Sequence, residues 1–343
     1  MTTTLTETPT AATTTLALDV DGLSIGYTGG PDAVSDVSLT VAPGEILGII
    51  GESGCGKSSI GLSLLGLLPS SASVRARRMA VAGHDLVGRS DRDLQAVRGN
   101  DVSMIFQEPM NALNPVMRIG DQIVEVLRLH GRSTGRRADR LGERARALEL
   151  LRLVQVPEPE LRLKQFPHQM SGGMRQRIMI AIAMAAEPRL LVADEPTTAL
   201  DVTVQAQILD LLRDLRDRTG TAVVLVSHDL GVIAETCDRV VVMYAGQVIE
   251  EGTPAEVLSA PGHPYTAGLL ASIPTVDHEP GTDLPTIRGG ITADDRARAG
   301  CRFAPRCPAA RPECGSPQAL RTVPGDGRRV RCVLADVTEG EDR

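Results

Sequence analysis

Tryptophan is absent from this chain, and its 343 residues include only three phenylalanines and three tyrosines. Aliphatic side chains must therefore fill the core, and the stacking platforms that hold single-stranded nucleic acid have almost no material. Positive charge is also short: 36 Lys and Arg against 43 Asp and Glu leave a net charge of −7. That balance argues against a general nucleic-acid binder. No apolar run reaches the ~20 residues that span a bilayer; Ile178–Ala186 is one of the longest. Residues 1–15 are threonine-rich, without a basic start or an apolar stretch of signal-peptide length, and read as a disordered tail. The chain is expected to be soluble and cytoplasmic, with any membrane role coming through partners.

The length exceeds one ordinary core and predicts a large α/β domain with an appendage. Short alternating runs over residues 17–47 predict antiparallel strands, and Ile46–Ile50 a buried strand followed by a helix over Ser58–Leu68. Leu141, Ala145, Leu148 and Leu151 are expected on one face of a helix, with Arg144, Arg146 and Arg152 on its solvated side. Met174–Ala186 reads as an apolar helix stopped near Pro188. Leu190–Ala193 and Thr221–Val226 read as buried parallel strands around an amphipathic helix at Gln205–Arg216. Val240–Tyr244 and Gln247–Glu250, flanking Ala245-Gly246, predict a hairpin. Past about residue 253 proline and glycine become frequent and the α/β rhythm stops, which predicts a domain boundary.

The chemistry concentrates in a few motifs. Gly51-Glu52-Ser53-Gly54-Cys55-Gly56-Lys57-Ser58 fits G-x-x-x-x-G-K-[ST], between a strand and a helix. Backbone amides of such a loop wrap a nucleotide's phosphates; Lys57 would reach the β- and γ-phosphates, and the Ser58 hydroxyl would bind Mg²⁺. The loop residues Gly51, Ser53, Gly54, Cys55 and Gly56, with Ser59 beyond, complete the expected cradle. Leu190-Leu191-Val192-Ala193 runs into Asp194-Glu195. Asp194 would hold Mg²⁺, and Glu195, pointing elsewhere, would polarise the attacking water. Gln107 and His228 each follow a short apolar strand, and parallel strand ends converge on a ligand crevice. Alone, either residue is more often structural; together with the other motifs they become candidates for sensing the γ-phosphate.

The phosphate loop, Gln107, Ser171-Gly172-Gly173, Asp194-Glu195, Leu200-Asp201 and His228 occur in the order of ATP-binding cassette (ABC) ATPases, which residues 17–253 resemble. The resemblance implies two such domains packed head to tail, each ATP lying between one subunit's phosphate loop and the other's Ser-Gly-Gly segment. It implies that Ser171, Gly172 and Gly173 bind the partner's nucleotide, that Tyr27 stacks on adenine and that Asp201 lines the dimer contact. It adds Gln107 to Ser58 and Asp194 as Mg²⁺ ligands and makes Glu195, His228, Gln107 and Lys57 the catalytic set. For Tyr27, an exposed tyrosine near a turn is an equally good reading. Met170 and Met174 around Ser-Gly-Gly depart from the commonest family pattern, which has Leu and Gln there.

Cys301, Cys307, Cys314 and Cys332 follow as C-x5-C-x6-C-x17-C, downstream of Gly262-His263-Pro264-Tyr265-Thr266. This region resembles the C-terminal part of ATPases in the oligopeptide/dipeptide/nickel branch of bacterial ABC importers, whose relatives carry a [4Fe–4S] cluster on these four cysteines. Four thiolates hold such a cluster or Zn²⁺; no C-x2-C pair supports a zinc ribbon, and free or disulfide-bonded cysteines are the remaining alternative. Cys237 reads as a small buried residue. Arginines recur from Arg288 to Arg331, placed either for pairing within the segment or for a lipid surface.

The expected fold is α/β: an ABC-type phosphate-loop ATPase domain over residues 16–253, with a mixed sheet core, an antiparallel β subdomain and a helical subdomain at about 108–187. A small cysteine-rich domain over 254–343 would follow. The expected function is ATP hydrolysis that drives di- or oligopeptide import. Partners would be two permease subunits, a second ATPase subunit and, through the complex, an extracytoplasmic solute-binding protein, with no nucleic acid. The subunit would lie peripherally on the cytoplasmic side of the membrane. Import of nickel or another small solute, a soluble ABC ATPase of iron–sulfur assembly, and a small-molecule kinase are the competing readings.

Overall fold

The computed structural model describes residues 15–107, 112–131, 140–198, 200–273, 285–325 and 327–335. All of the expected N-terminal tail except residue 15 lies outside them, as do residues 108–111, the start of the expected helical subdomain. Among the described residues, two sheets form. The smaller is antiparallel: β1 (Leu18–Tyr27) pairs with β2 (Val34–Val41), β4 (Ala72–Arg75) and β5 (Arg78–Val81), and β5 with β6 (His84–Asp85). The larger runs in the order β12-β13-β11-β10-β3-β9-β8-β7. Its parallel part comprises β7 (Val102–Ile105), β8 (Leu190–Asp194), β9 (Ala222–Val226), β3 (Ile46–Ile50) and β10 (Arg239–Tyr244).

The central strands are apolar throughout because both their faces are covered. Ile46, Ile50, Leu191, Ala193, Val223 and Leu225 point to one core, and Leu47, Ile49, Leu190, Val192, Val224 and Val226 to the other. The second core lies under the antiparallel sheet and holds Ile60 and Leu64 of α1 (Lys57–Leu64). Helix α2 (Asp91–Val97) carries a capping box from Ser90 to Asp93.

The first core packs α3 (Ile119–Gly131), α4 (Arg140–Leu153), α6 (Gly172–Met184), α7 (Val202–Thr219) and α8 (Leu230–Thr236) on the opposite face; the short α5 (Pro159–Arg162) follows α4. The expected face of α4 holds at Leu151, which is buried, and at the half-buried Leu148, and fails nearer the start of the helix. Leu141 is 79% exposed and Ala145 is exposed, while Ala147, Leu150 and Leu151 are buried. In that first turn Arg128 of α3 pairs with Glu143, so α3 meets the turn on a side other than the one that carries Leu141 and Ala145. Its basic residues are surface groups as expected, Arg146 pairing with Glu149 and Glu187 and Arg152 with Glu160.

The hairpin of β10 with β11 (Gln247–Gly252) turns through Ala245 at φ 45° and Gly246 at φ 87°, the left-handed pair a type I′ turn needs. Beyond it come α9 (Pro254–Ser259), α10 (Pro264–Ala271) and α11 (Ala293–Ala297). The chain then returns to the large sheet: β13 (Arg329–Val330) pairs with β11, and β12 (Arg321–Thr322) with β13. No helix among the described residues is long and apolar enough to cross a membrane.

Candidate nucleotide site

β3 runs into a loop that tolerates no side chain at two points. A Cβ at Gly51 would lie 2.2 Å from the Met243 carbonyl oxygen, and one at Gly56 2.8 Å from that of Ala33. Both glycines also have positive φ, 150° and 107°. Lys57 Nζ donates to the carbonyls of Gly51 (2.7 Å) and Glu52 (3.1 Å), so the cation is held inside the loop. Because α1 starts at Lys57, its free amides and positive end face the same place. Cys55 is fully buried and burial pushes its thiol pKa up, so it offers backbone and not a nucleophile.

A cavity of about 600 Å³ opens over the loop, lined by Tyr27, Ser53, Lys57, Ser58, Ser59 and Gln107, with Gly54, Glu195 and Arg296 also on its wall. Tyr27 stands at its rim, its hydroxyl 3.1 Å from Ser59 Oγ. Asp194 ends β8 at 6% exposed, beside Ser58, whose hydroxyl hydrogen-bonds to it. Burial raises the Asp194 pKa; Ser58 and Lys57 pull it down, and the Glu195 charge adds to the rise. Asp194 Oδ1 is buried with no partner among the described residues. An unsatisfied carboxylate oxygen next to a serine hydroxyl is a donor set suited to Mg²⁺.

Glu195 is the site's strained residue, held at φ 47° where non-glycine residues are rare. Three donors converge on its Oε2: Gln107 Nε2 at 3.0 Å, Thr198 Oγ1 at 2.9 Å and His228 Nδ1 at 3.3 Å. Its backbone amide bonds to the Val226 carbonyl at 3.0 Å, so the strand-end geometry of β8 and β9 aims the carboxylate. Gln107 and His228 thus meet through Glu195.

Ser171, Gly172, Gly173 and Asp201 do not line this cavity. Ser171 caps α6, accepting the Met174 amide at 3.3 Å, and Asp201 caps α7, accepting that of Val204 at 3.0 Å. Ser171, Gly172 and Asp201 are exposed. Gly173 has a packing reason for being glycine, since a Cβ there would sit 2.8 Å from Val204 Cγ1.

The largest surprise is how firmly the C-terminal segment grips the phosphate loop. Tyr265 Oη accepts the Glu52 amide at 2.8 Å, and Arg306 grips the Glu52 carboxylate with two bonds, at 2.8 and 2.9 Å. Arg302 donates to the Ala245 carbonyl and to Ser35 Oγ. Burial lowers its pKa to about 10. Tyr244, Tyr265 and Phe303 form a triangle with ring centroids 4.8 to 5.4 Å apart, and Arg306 lies 5.6 Å over Tyr244. His263-Pro264-Tyr265 therefore serves the loop: the buried Glu250 carboxylate accepts the amides of Gly262 and His263, and His263 Nδ1 accepts that of Tyr265. Sequence reasoning singled out this motif without finding its target, because Glu52 occupies a position that the phosphate-loop pattern leaves open.

The four clustered cysteines are unbridged. Beyond burial, neighbouring thiols help to raise the pKa of three of them: Cys314 and Cys332 at Cys301, Cys314 at Cys307, and Cys307 and Cys314 at Cys332. Amides donate to sulfur, from Arg311 to Cys314 and from Leu334 to Cys332, each at 3.4 Å. Burial raises the pKa of Cys301, Cys307 and Cys332. Yet among the described residues no group of three or more His, Cys, Asp or Glu is placed to hold a metal ion, so the geometry does not support the expected iron–sulfur site. Cys237 is buried as expected, its thiol pushed up to about 12.

A family model described as ABC transporter matches residues 34–198, and one described as oligopeptide/dipeptide transporter, C-terminal region, matches residues 249–314. The oligopeptide transport ATP-binding protein AppD of Bacillus subtilis is 48% identical over 303 residues, 88% of this chain and 90% of that protein. The chain belongs to the ABC transporter ATP-binding family. The dipeptide transport ATP-binding protein DppD of Bacillus subtilis is 46% identical, covering 93% of this chain and 95% of its own length. Among solved structures, the ATP-binding cassette MJ0796, a dimer bound to ADP and Pi, matches with a TM-score of 0.60 at 26% identity, over 69% of this chain and 98% of that one. The protein cbiO1 of Clostridium perfringens, part of the ABC transporter complex cbiONQ, matches with a TM-score of 0.59 at 25% identity, over 71% of this chain and 91% of that one.

Proposed function

We propose that the protein is the ATP-hydrolysing subunit of an importer for di- or oligopeptides. The observation that carries the ATPase chemistry is the strained Glu195 carboxylate, held by Gln107, Thr198 and His228 at the edge of a cavity floored by the phosphate loop. Lys57 and the loop amides would bind the phosphates, Ser58, Asp194 and Gln107 would hold Mg²⁺, and Tyr27 would face the adenine. Mg²⁺ would supply charge neutralisation along the polyphosphate. Glu195 would orient and deprotonate water, and His228 would contact the γ-phosphate. The exposed Ser171-Gly172-Gly173 end of α6 and Asp201 would meet the nucleotide and loop of a second ATPase subunit. Residues 16–253 would be the ATPase domain, 108–187 its helical subdomain contacting two permeases on the cytoplasmic side of the membrane, and 254–343 the C-terminal domain. The peptide reading draws on the names of AppD and DppD and on the matched C-terminal region.

Glu195→Gln is expected to keep ATP binding and to lose turnover by about 10²- to 10⁴-fold, with peptide uptake by the assembled transporter lost in parallel. Hydrolysis at the unmodified rate would remove Glu195 from its role. For Cys301, Cys307, Cys314 and Cys332 the [4Fe–4S] reading draws on the resemblance of this region to the importer branch and on the amide bonds to Cys314 and Cys332, against a described geometry that places no metal-holding group there. Binding there would require the four sulfurs to draw together as thiolates. Iron and acid-labile sulfide in anaerobically purified protein are the expected result; zinc, or no metal, refutes it.

A further inference from the structure

Arg296 belongs to the C-terminal segment, yet it lines the nucleotide cavity. It sits on α11, whose first turn is locked by a capping box: Thr292 and Asp295 each accept the other's backbone amide. Downstream, Arg302 and Arg306 tie the same segment to Ala245 and Glu52, so α11 has little freedom to swing away. Arg296 Nη2 donates to the Gly54 carbonyl at 2.6 Å, across 242 positions of sequence. Its Nε is buried and has no partner among the described residues. A guanidinium with donors to spare stands beside a loop shaped for polyphosphate, the anion it binds best.

We propose that Arg296 is a nucleotide-binding residue, bringing a guanidinium in cis to the polyphosphate of ATP, so that the C-terminal segment completes the ATP site of its own subunit. The inference rests on the cavity being the ATP site. The charge adds to that of Lys57 on the wall of the same cavity, and the bond to Gly54 sets its place before nucleotide arrives.

The test uses the full chain carrying Glu195→Gln, with affinities measured for MgATP, MgADP and AMP. Arg296→Gln keeps a donor for the Gly54 carbonyl and removes the charge; Arg296→Lys keeps the charge. The expected result for Arg296→Gln is a loss of about tenfold for MgATP, a smaller loss for MgADP and least for AMP, with partial recovery in Arg296→Lys. An unchanged MgATP affinity overturns the proposal. So does an equal loss for all three nucleotides, which would make Arg296 a prop for the loop. Lys57→Ala separates the two readings. If it abolishes MgATP binding while Arg296→Gln does not weaken it, only this inference fails; if MgATP binding survives Lys57→Ala, the ATP-site reading fails with it.

Discussion

His263 shows how one buried side chain makes the protein sensitive to acid. It is 1% exposed, and burial lowers its pKa from 6.5 to about 4. The folded state therefore keeps it neutral while the unfolded chain takes up a proton below 6.5. Its contribution is fully present above that pH and is lost as pH falls toward 4, by about 3 kcal/mol. Glu250, which accepts the His263 amide, acts in the opposite sense, because burial raises its pKa and protonation suits the fold. His263→Asn keeps an acceptor for the Tyr265 amide and removes the titration. Urea unfolding of both proteins between pH 7 and 4 should show the unmodified chain losing that much stability relative to the variant; a constant difference would refute the shift.

At the scale of elements, α6 and α7 meet at a spot where one atom decides the spacing. A methyl at Gly173 would press on Val204 Cγ1 at 2.8 Å, and a β-branched side chain has no alternative rotamer to retreat into within a helix. Gly173→Ala is expected to cost about 1–3 kcal/mol from overpacking. Adding Val204→Ala should recover most of it, read from urea midpoints of the single and double variants. A Gly173→Ala protein as stable as the parent would mean that the helices separate freely. Hydrolysis by the assembled complex should stay low even in the double variant, if Gly173 also approaches the partner's nucleotide.

Across the whole molecule, the C-terminal segment and the phosphate loop behave as one unit because their contacts are charged, aromatic and buried together. The Arg306 side chain is 8% exposed and that of Glu52 24%. Removing Arg306 leaves a half-buried carboxylate without its partner, at a cost of about 3–5 kcal/mol. Arg306→Met should therefore be far less stable than the double variant Arg306→Met/Glu52→Gln, in which both charges are gone. Additive losses in that cycle would show that the two ends of the chain are not coupled through this pair.

The phosphate loop, the strand ending in Asp194-Glu195 and the order of the motifs were legible in the chain because they are local. A glycine pattern, an apolar run and a capping residue each act on their own neighbours. That Ile46–Ile50 is a buried strand was legible too; that Ile46 and Ile50 join one core and Leu47 and Ile49 the other came from the two covered faces of the folded sheet. The buried face of α4 was misread at Leu141 and Ala145 because periodicity reports which residues are apolar and not which of them a neighbouring element covers. The grip of Tyr265, Arg296 and Arg306 on Glu52 and Gly54 could come only from the folded chain. Those contacts join residues more than 200 positions apart, and no local preference of an arginine names the carbonyl or carboxylate it will reach.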